Sequence, residues 1–250
     1  MNNLLTDEEL ANEGLKKDLE LILKSIPSYM DIMLQQTMML SQFFKMGRSP
    51  KRITAKNVMT LLLFSQNLMQ SGWINKDAFQ QLPYFGEDEC KEAKKLLNNM
   101  TLFKFCTQPK EQRQEIYPKV LGPEHKQKSE EVEKCIDALP LVKLTMKAFV
   151  EGEDEIVVGD ILTCRLEVKY HNLKKGQKSG YVHSKTYPYL KRDNWFIIIT
   201  DETFTGLAAV EKITTTEDVY VKEFKERIQR PGKISFTAVL VNDSFKGLDQ

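Results

Sequence analysis

Cysteine is scarce in this sequence of 250 residues, and its spacing suggests no shared site. Cys90, Cys106, Cys135 and Cys164 lie far apart and form no Cys-x-x-Cys pair. Zinc centres and disulfide frameworks both require closer or regularly paired cysteines, so neither is indicated. We therefore expect free thiols in reducing surroundings and predict no metal site.

The sequence also lacks an excess of either charge. Lys and Arg number 36 and Asp and Glu number 35, which leaves a net charge of +1. The part before the junction at Pro140 holds 19 basic and 19 acidic residues, and the part after it holds 17 and 16. Net charge therefore gives neither part a general attraction for nucleic acid or anionic lipid.

Long hydrophobic runs and targeting signals are missing as well. No run of about 18 apolar residues occurs anywhere in the sequence. The first residues, MNNLLTDEELANEG, have no basic region followed by an apolar stretch. We expect the chain as given neither to enter the secretory route nor to span a membrane, although a neighbouring segment could do either.

Motifs for catalysis and nucleotide binding are absent too. His125, His171 and His183 lack His-Glu-x-x-His spacing, and no glycine-rich phosphate loop or Gly-x-Ser-x-Gly elbow occurs. Acidic runs at 7–9 and 87–89 lie at expected helix starts, where carboxylates favour the positive end of the helix dipole. We predict no catalytic residue, no cofactor and no enzyme activity.

The first half of the sequence has the apolar spacing of helices. Thr6, with Glu9 three residues later, predicts the start of a first helix, and the run 25–27 with its proline predicts the end of that helix. A second helix is expected over 28–46, where Gly47 is placed to end it.

A third helix is predicted to begin after Thr54 and to carry Trp73 on its wide apolar face, which is typical of a central helix in a bundle. The methionine-rich stretch MLQQTMML (33–40) fits core packing, which we favour, or a peptide-binding groove. Shorter helices are expected over 76–81, 86–97, 108–120 and 124–139.

After Pro140 the apolar spacing changes from helical to alternating. The segments LVKLTMKAFV and ILTCRLEVKYHN alternate, WFIIIT is a short β-branched run, and LAAVEKI and KISFTAVLV follow; all predict strands bounded by turn-type residues. About seven such strands are typical of an immunoglobulin-like or fibronectin type III-like antiparallel β-sandwich. The predicted fold class is α+β, with a helical bundle domain at 1–139 and a β-sandwich domain at 140–250 that share an interface.

One stretch, residues 171–192, contains basic residues and no acidic ones. As a binding loop it would meet an acidic protein, RNA or a lipid headgroup, with Tyr181, Tyr187 and Tyr189 available for stacking. As a structural feature it would be a solvated insertion between strands. Its basic residues are the predicted partner-binding residues: Lys174, Lys175, Lys178, Lys185, Lys191 and Arg192.

The last residues, VNDSFKGLDQ (241–250), fit either a calcium loop or a turn after a strand. They lack the ligand spacing of a calcium loop. We predict a turn in which Gly247 takes a positive φ and Asp243 or Ser244 bonds to nearby backbone.

Four segments together resemble the domain named after the endoplasmic reticulum translocation protein Sec sixty-three. RPGKISFTAVLVNDSFKGLDQ resembles the close of that domain, and DNWFIIITDETFTGLAAVEKI its tryptophan-bearing strand, acidic turn and return strand. SGWINKDAFQQLPYF and KCIDALPLVKLTMKAFV are similar to its helical signature and to its crossing from last helix to first strand. Related domains continue beyond this last segment with another short strand. The resemblance therefore implies that the sandwich lacks its last edge strand or pairs it poorly.

The resemblance implies a non-enzymatic, cytosolic region of a membrane protein of the endoplasmic reticulum. Its sandwich loops would dock on the protein-conducting channel in support of post-translational import, while its helices hold the sandwich at a fixed height above the membrane. An Hsp70 chaperone would be an indirect partner through a J domain, whose His-Pro-Asp signature this sequence does not contain. Neither nucleic acid binding nor membrane insertion by this region is expected.

The same domain follows the helicase core in Ski-two-like RNA and DNA helicases, where it would guide a nucleic acid strand or bind a regulator. The extra length before the tryptophan strand, and the segment VHSKTYPYLKRDNWFI, resemble the translocation protein instead. The insertion is short, however, and only Trp195 stands where several tryptophans often occur. An accessory region of such a helicase is therefore the alternative function.

Overall fold

In a computed structural model the chain is an α+β protein, with helices first and two antiparallel sheets after them, which confirms the predicted fold class. The structure describes residues 9, 11–153, 155–174, 180–185, 187–213, 218–229, 231–233 and 235–250. The helices are α1 (Glu13–Lys45), α2 (Ala55–Met69), a 3-10 helix (Ala78–Gln81), α3 (Glu87–Leu96), α4 (Leu102–Thr107), α5 (Lys110–Gln114), α6 (Tyr117–Leu121) and α7 (His125–Ala138).

One long helix, α1, takes the place of the first two predicted helices. Pro27 lies inside it, so the predicted break is wrong. Proline removes one helical hydrogen bond, but burial of Met30 and Leu34 in the turns that follow holds the helix together. The predicted cap Thr6 lies outside the described residues, and Asn12 caps α1 through its side-chain oxygen.

Both predicted signals at the turn between α1 and α2 are confirmed. Gly47 has φ +70°, and the amide of Arg48 donates to the carbonyl of Phe43 at 2.8 Å, which closes the last turn of α1. Thr54 caps α2 by accepting a hydrogen bond from the amide of Asn57 at 3.3 Å. This short reversal brings α2 back against α1.

Two predicted apolar faces are not buried as expected. Trp73 lies beyond the end of α2 and is 75% exposed, so its assignment to the face of that helix is wrong. In the methionine-rich stretch Leu34 is buried, whereas Met33, Met39 and Leu40 are exposed. Core packing therefore holds for only one side of this stretch, because α1 lies at the outside of the molecule.

Two three-stranded antiparallel sheets follow the helices. The strands are β1 (Val142–Val150), β2 (Ile161–Tyr170), β3 (Trp195–Thr200), β4 (Ala209–Ile213), β5 (Val219–Arg227) and β6 (Thr237–Asn242), in the orders β1-β2-β5 and β4-β3-β6. Only β5 falls outside the strand segments quoted from the sequence. β6 is an edge strand, and Leu240 in it exchanges two backbone hydrogen bonds with Gln250 at 2.8 and 2.9 Å.

One hydrophobic cluster joins the helices to both sheets. It includes Phe105 and Tyr117 from the helices, Leu166 from the first sheet and Trp195 from the second. The proposed boundary at 139/140 falls between α7 and β1, within this shared core. The division into two domains stays a prediction. Among the described residues, no helix is both long and apolar enough to cross a membrane.

The last residues, 242–250, form a turn that we call the terminal turn. It attaches the sandwich to the helices. The side chain of Gln66 in α2 donates to the carbonyl of Asn242 at 2.7 Å. Gln81 donates to the carbonyl of Lys246 at 2.7 Å and accepts from its amide at 2.9 Å. The polar groups of the terminal turn, which suggested a ligand loop in the sequence, thus form hydrogen bonds within the chain.

The predicted conformation of the terminal turn is confirmed at one position and wrong at another. Gly247 has φ +78°, as expected for a residue without Cβ. The side chain that caps the turn is that of Asn242, whose Oδ1 accepts hydrogen bonds from the amides of Ser244 at 2.7 Å and Phe245 at 2.9 Å. The carboxylate of Asp243 accepts instead from the hydroxyl of Ser244 and from Asn194, and it forms an ion pair with Lys191.

Gly247→Ala is expected to destabilise the protein more than Gly152→Ala. Both glycines have φ +78°, but a Cβ at 247 would lie 2.7 Å from the Cβ of Ala78, while one at 152 would meet nothing within 4 Å. The backbone strain is therefore matched, and the difference of about 1–3 kcal/mol in the free energy of unfolding reports the clash. Urea denaturation measures it. Equal losses in the two variants would contradict this packing.

Candidate protein-interaction surface

Lys191, one of the predicted partner-binding residues, lies in a buried ion pair. Its Nζ donates to both carboxylate oxygens of Asp243 at 2.8 Å and to the hydroxyl of Ser244 at 2.7 Å. The two charged side chains are only 9% and 6% exposed. Asn194 also donates to Asp243, from its amide at 3.1 Å and its side chain at 2.8 Å. Lys191 and Asn194 therefore hold residues 191–194 to the terminal turn.

Asp193 adds a second carboxylate to this polar region. Burial, and then the negative charge of Asp243, raise the pKa of Asp193 to about 6. The side chain of Asn242 donates to its carboxylate at 3.4 Å. Asp193 therefore keeps its proton to a higher pH than an exposed aspartate does.

Asp193→Asn is expected to change the pH dependence of stability. The pKa of about 6 in the folded protein exceeds the ordinary value of 3.8, so the folded state holds this proton more tightly. The contribution of Asp193 to the free energy of unfolding is fully present below about pH 4 and is lost as the pH rises through about 6. The total loss is at most about 3 kcal/mol. Urea denaturation across this range, wild type minus variant, isolates the contribution. A difference that does not vary with pH would contradict it.

Lys185 also binds within the chain. Its Nζ donates to the carbonyls of Gln80 at 2.9 Å and Leu82 at 2.7 Å, next to the 3-10 helix. Burial of the ammonium lowers the pKa of Lys185 below its ordinary value. Although the residue as a whole is exposed, its charged end is thus directed at the helical part.

The other predicted contact residues differ in position. Lys174 is exposed. The guanidinium of Arg192 lies 4.9 Å from the ring centre of Tyr181, a cation–π contact that leaves both near solvent. Lys175 and Lys178 lie outside the described residues. Of the four that the structure describes, Lys185 and Lys191 bind within the chain while Lys174 and Arg192 are exposed, and the role of all six in partner binding stays a prediction.

Two of the three tyrosines predicted to stack on a ligand pack inside the molecule instead. Tyr187 is 9% exposed and lies edge-on to Tyr189, with ring centres 5.7 Å apart. The ring of Tyr189 is 5.2 Å from the Nζ of Lys24 in α1. Tyr187 and Tyr189 are therefore held by contacts within the chain, whereas Tyr181 is 50% exposed.

A different surface is presented by the hairpin that joins β1 to β2. Its tip carries three consecutive apolar residues, Ile156, Val157 and Val158, which are 56%, 55% and 50% exposed. Three adjacent β-branched side chains in solvent are unusual, because exposed apolar residues normally occur singly. We call these three residues the hairpin tip.

The hairpin tip is held in place by hydrogen bonds on its C-terminal side. The carboxylate of Asp160 accepts from the amide of Val157 at 2.7 Å. Gly159 donates its amide to the carbonyl of Ile228 at 2.9 Å, and Ile228 donates in return to the carbonyl of Asp160 at 2.9 Å. Because the end of β5 supports it, the tip loses little conformational entropy when a partner binds.

Acidic residues surround the hairpin tip. Residues 148–164 contain five acidic residues and no basic one. Glu151, Glu153 and Glu155 in this segment are exposed. An apolar centre within a negative rim is the arrangement of a protein contact, and it complements a partner with a basic loop around an apolar recess.

The sequence contains a signal for this surface, although the prediction above missed it. The run IVV lies between EGEDE and GD, where a solvated hairpin loop would ordinarily carry polar residues.

Among the described residues, no three His, Cys, Asp or Glu side chains come together as metal ligands. A groove between α2 and β6 is lined by apolar residues that include Met59, Leu63 and Val241, and by polar residues that include Gln66 and Asp249.

Comparison with known proteins finds two kinds of relative, and no protein-family model matches the chain. The DExH-box ATP-dependent RNA helicase DExH12 of Arabidopsis thaliana is 26% identical over 188 residues, which cover 74% of this chain and 8% of the helicase. The DnaJ protein ERDJ2A of Arabidopsis thaliana is 25% identical over 144 residues, which cover 56% of this chain and 20% of that protein.

A third relative is activating signal cointegrator 1 complex subunit 3 of Mus musculus. It is 29% identical over 93 residues, which cover 36% of this chain and 4% of that protein. The aligned part is thus at most a fifth of the length of each of these three relatives. Parts of the chain are thus similar both to a DExH-box RNA helicase and to a DnaJ protein.

Proposed function

We propose that this chain is a non-enzymatic, cytosolic docking region of an endoplasmic reticulum translocation protein. It binds the protein-conducting channel and so supports post-translational import. An Hsp70 chaperone is an indirect partner through a J domain outside this sequence. The observation that carries the proposal is the rigid hairpin tip with its acidic surroundings.

Charge gives the reason for choosing a membrane channel as the partner. Cytoplasmic loops of membrane proteins carry an excess of Lys and Arg. Residues 148–164, with five acidic residues and no basic one, complement such loops, while the hairpin tip supplies apolar contact area. The same acidic segment would repel a nucleic acid backbone. Similarity to the DnaJ protein ERDJ2A supports this assignment.

The rest of the molecule holds this contact in position. The shared core and the terminal turn fix the helices, proposed as residues 1–139, to the sandwich, proposed as residues 140–250. A rigid body of this kind would keep the hairpin at a set distance from the channel. Lys174 and Arg192 form a proposed second contact for acidic groups on the partner.

Replacing the hairpin tip is expected to weaken binding to the channel. Ile156→Ser, Val157→Ser and Val158→Ser together should weaken binding of the purified channel in detergent by about tenfold or more, since losing the buried apolar area of three such side chains costs more than about 1.4 kcal/mol. Leu190→Ser is the control, because Leu190 is 79% exposed on another surface. Equal binding by wild type and the triple variant would refute the proposed contact.

An accessory region of an RNA helicase is the second candidate. The helicase DExH12 aligns with 74% of this chain, against 56% for ERDJ2A. In this function the region would guide single-stranded RNA or bind a regulator. Filter binding with a single-stranded RNA oligonucleotide separates the two candidates. Salt-sensitive binding that Lys174→Glu with Arg192→Glu abolishes, without any binding to the channel, would favour the helicase function.

A further inference from the structure

The long helix α1 is apolar on two sides, and only one of them is covered. Met30 and Leu34 are buried against the rest of the molecule. The opposite side exposes an apolar stripe whose members are between 43% and 63% exposed. We call it the outward stripe, and it consists of Ile22, Tyr29, Ile32, Met33, Met39 and Leu40.

The spacing of these residues makes the outward stripe continuous. At about 100° per residue, all six fall within a sector of about 120°, and they extend over about 27 Å of the helix. A helix that is apolar all round is normally buried on every side. The outward stripe of α1 is therefore a surface that a further partner is expected to cover.

The outward stripe carries no charge. Between Ile22 and Met46 the charged residues are Lys24, Asp31 and Lys45. All three are directed to the rest of the molecule. Lys24 lies 5.2 Å from the ring of Tyr189, Asp31 accepts from Lys212 at 2.8 Å, and Lys45 donates to the carbonyl of residue 208 at 2.7 Å. Their partners hold α1 on the sandwich with its apolar side facing outwards.

A basic segment follows the end of the stripe. Arg48, Lys51, Arg52 and Lys56 are exposed, and no ion pair is formed by any of them in the part of the chain that the structure describes. From residue 32 to residue 76 the sequence has six basic residues and no acidic one. The hydrogen bond from the amide of Arg48 to the carbonyl of Phe43 keeps this segment against the last turn of α1.

We propose that α1 and the basic segment bind the surface of an anionic phospholipid bilayer. The apolar side of the helix would lie among the upper acyl chains, and the basic segment would meet the negatively charged headgroups. This is binding in the plane of the interface and not insertion across the bilayer. The inference goes beyond the proposed docking on a channel and does not depend on it.

Charge favours a bilayer over a second copy of the chain. A second α1 packed antiparallel would offer the basic segment the start of the helix, residues 13–20, where three acidic residues face two lysines. That surplus of one negative charge is small against four exposed cations. The stripe also lies on the convex side of a single helix rather than in a groove, which suits an extended surface better than a peptide.

Flotation with lipid vesicles tests the inference directly. The probe is vesicles of phosphatidylcholine and phosphatidylserine at about 7:3, compared with phosphatidylcholine alone. Wild type is expected to float with the anionic vesicles at low salt. Arg48→Glu, Lys51→Glu and Arg52→Glu together should weaken binding on the order of 100-fold, since each basic residue near an anionic surface contributes about fivefold.

Variants of the outward stripe distinguish lipid insertion from simple charge attraction. Ile32→Ser, Met39→Ser and Leu40→Ser together should abolish flotation while circular dichroism shows an unchanged fold. Leu190→Ser is the matched control for the apolar change. For the charge change the control is one variant that combines Lys104→Glu, Lys119→Glu and Lys134→Glu. Both control variants should bind as wild type does.

Three results would overturn the inference. One is no flotation with anionic vesicles at low salt, and another is full binding by the stripe variant. The third is that wild type does not bind vesicles but forms a dimer in analytical ultracentrifugation, while the stripe variant is a monomer. This result would assign the stripe to contact with a second copy of the chain. Each leaves the hairpin proposal standing, because channel binding in detergent depends on Ile156, Val157 and Val158 instead.

Discussion

Glu133→Ala is expected to lower the free energy of unfolding by about 3–5 kcal/mol, because it leaves a buried guanidinium without its counter-charge. Arg113 and Glu133 are each only 6% exposed at the side chain. The Nε of Arg113 donates to Glu133 at 2.9 Å, and a second guanidinium nitrogen donates to the other carboxylate oxygen. Tyr117 donates its hydroxyl to the same carboxylate.

The direction of the pKa of Glu133 supports this expectation. Burial alone would raise the pKa, but the hydrogen bonds from Arg113 and Tyr117 outweigh burial and leave it below the ordinary value. The carboxylate is therefore charged in the folded protein, and its three donors depend on it. Guanidinium chloride denaturation followed by circular dichroism measures the loss.

A double variant serves as the control. Arg113→Met with Glu133→Leu removes both charges and keeps most of the volume, so it should lose much less stability than the two single changes added together. Tyr117 and the carbonyls of Cys106 and Gln108 then lose their partners, which keeps the double variant below wild type. A loss under about 1 kcal/mol for Glu133→Ala would contradict a buried ion pair.

Asp243→Ala is expected to have the second large effect on stability. It should also loosen the attachment of the segment around Lys191 to the terminal turn. Removing this carboxylate leaves the buried ammonium of Lys191 unpaired and deprives Asn194 of two hydrogen bonds. We expect a loss of about 3–5 kcal/mol in the free energy of unfolding. Hydrogen exchange should show faster opening of the backbone bond from Val182 to Lys191, which is 2.8 Å long.

Asp31→Ala is the matched control, because Asp31 also pairs with a lysine from a distant part of the chain. Its pair with Lys212 has side chains that are 40% and 29% exposed. Exposed pairs contribute about 0–1 kcal/mol, so this change should have little effect. Similar losses for Asp243→Ala and Asp31→Ala would show that the buried pair is not a structural attachment.

Local signals in the sequence predicted much of the fold. Gly47 and Thr54 mark the turn between α1 and α2 because their preferences act within a few residues. The alternating segments predicted five of the six described strands. Pro27 was misleading, since packing along α1 outweighs one missing hydrogen bond.

Contacts between distant segments were not predictable in the same way. From the sequence alone Lys191 was predicted to be an exposed, partner-binding cation, because its partner in the fold, Asp243, is 52 residues away. Gln66 and Asn242, which join α2 to the terminal turn, are 176 residues apart. The terminal turn suggested a ligand loop for the same reason, since its polar groups satisfy partners that only the folded chain brings near.

The measurement that tests the central proposal most directly is photo-crosslinking from Val157 in the hairpin tip. A photoreactive phenylalanine analogue at this position is illuminated with purified channel in membranes, and the crosslinked peptides are identified by mass spectrometry. The proposal predicts crosslinks to basic cytosolic loops of the channel, and none from the same analogue at Lys104 on α4. Equal crosslinking from both positions, or none from Val157, would contradict it.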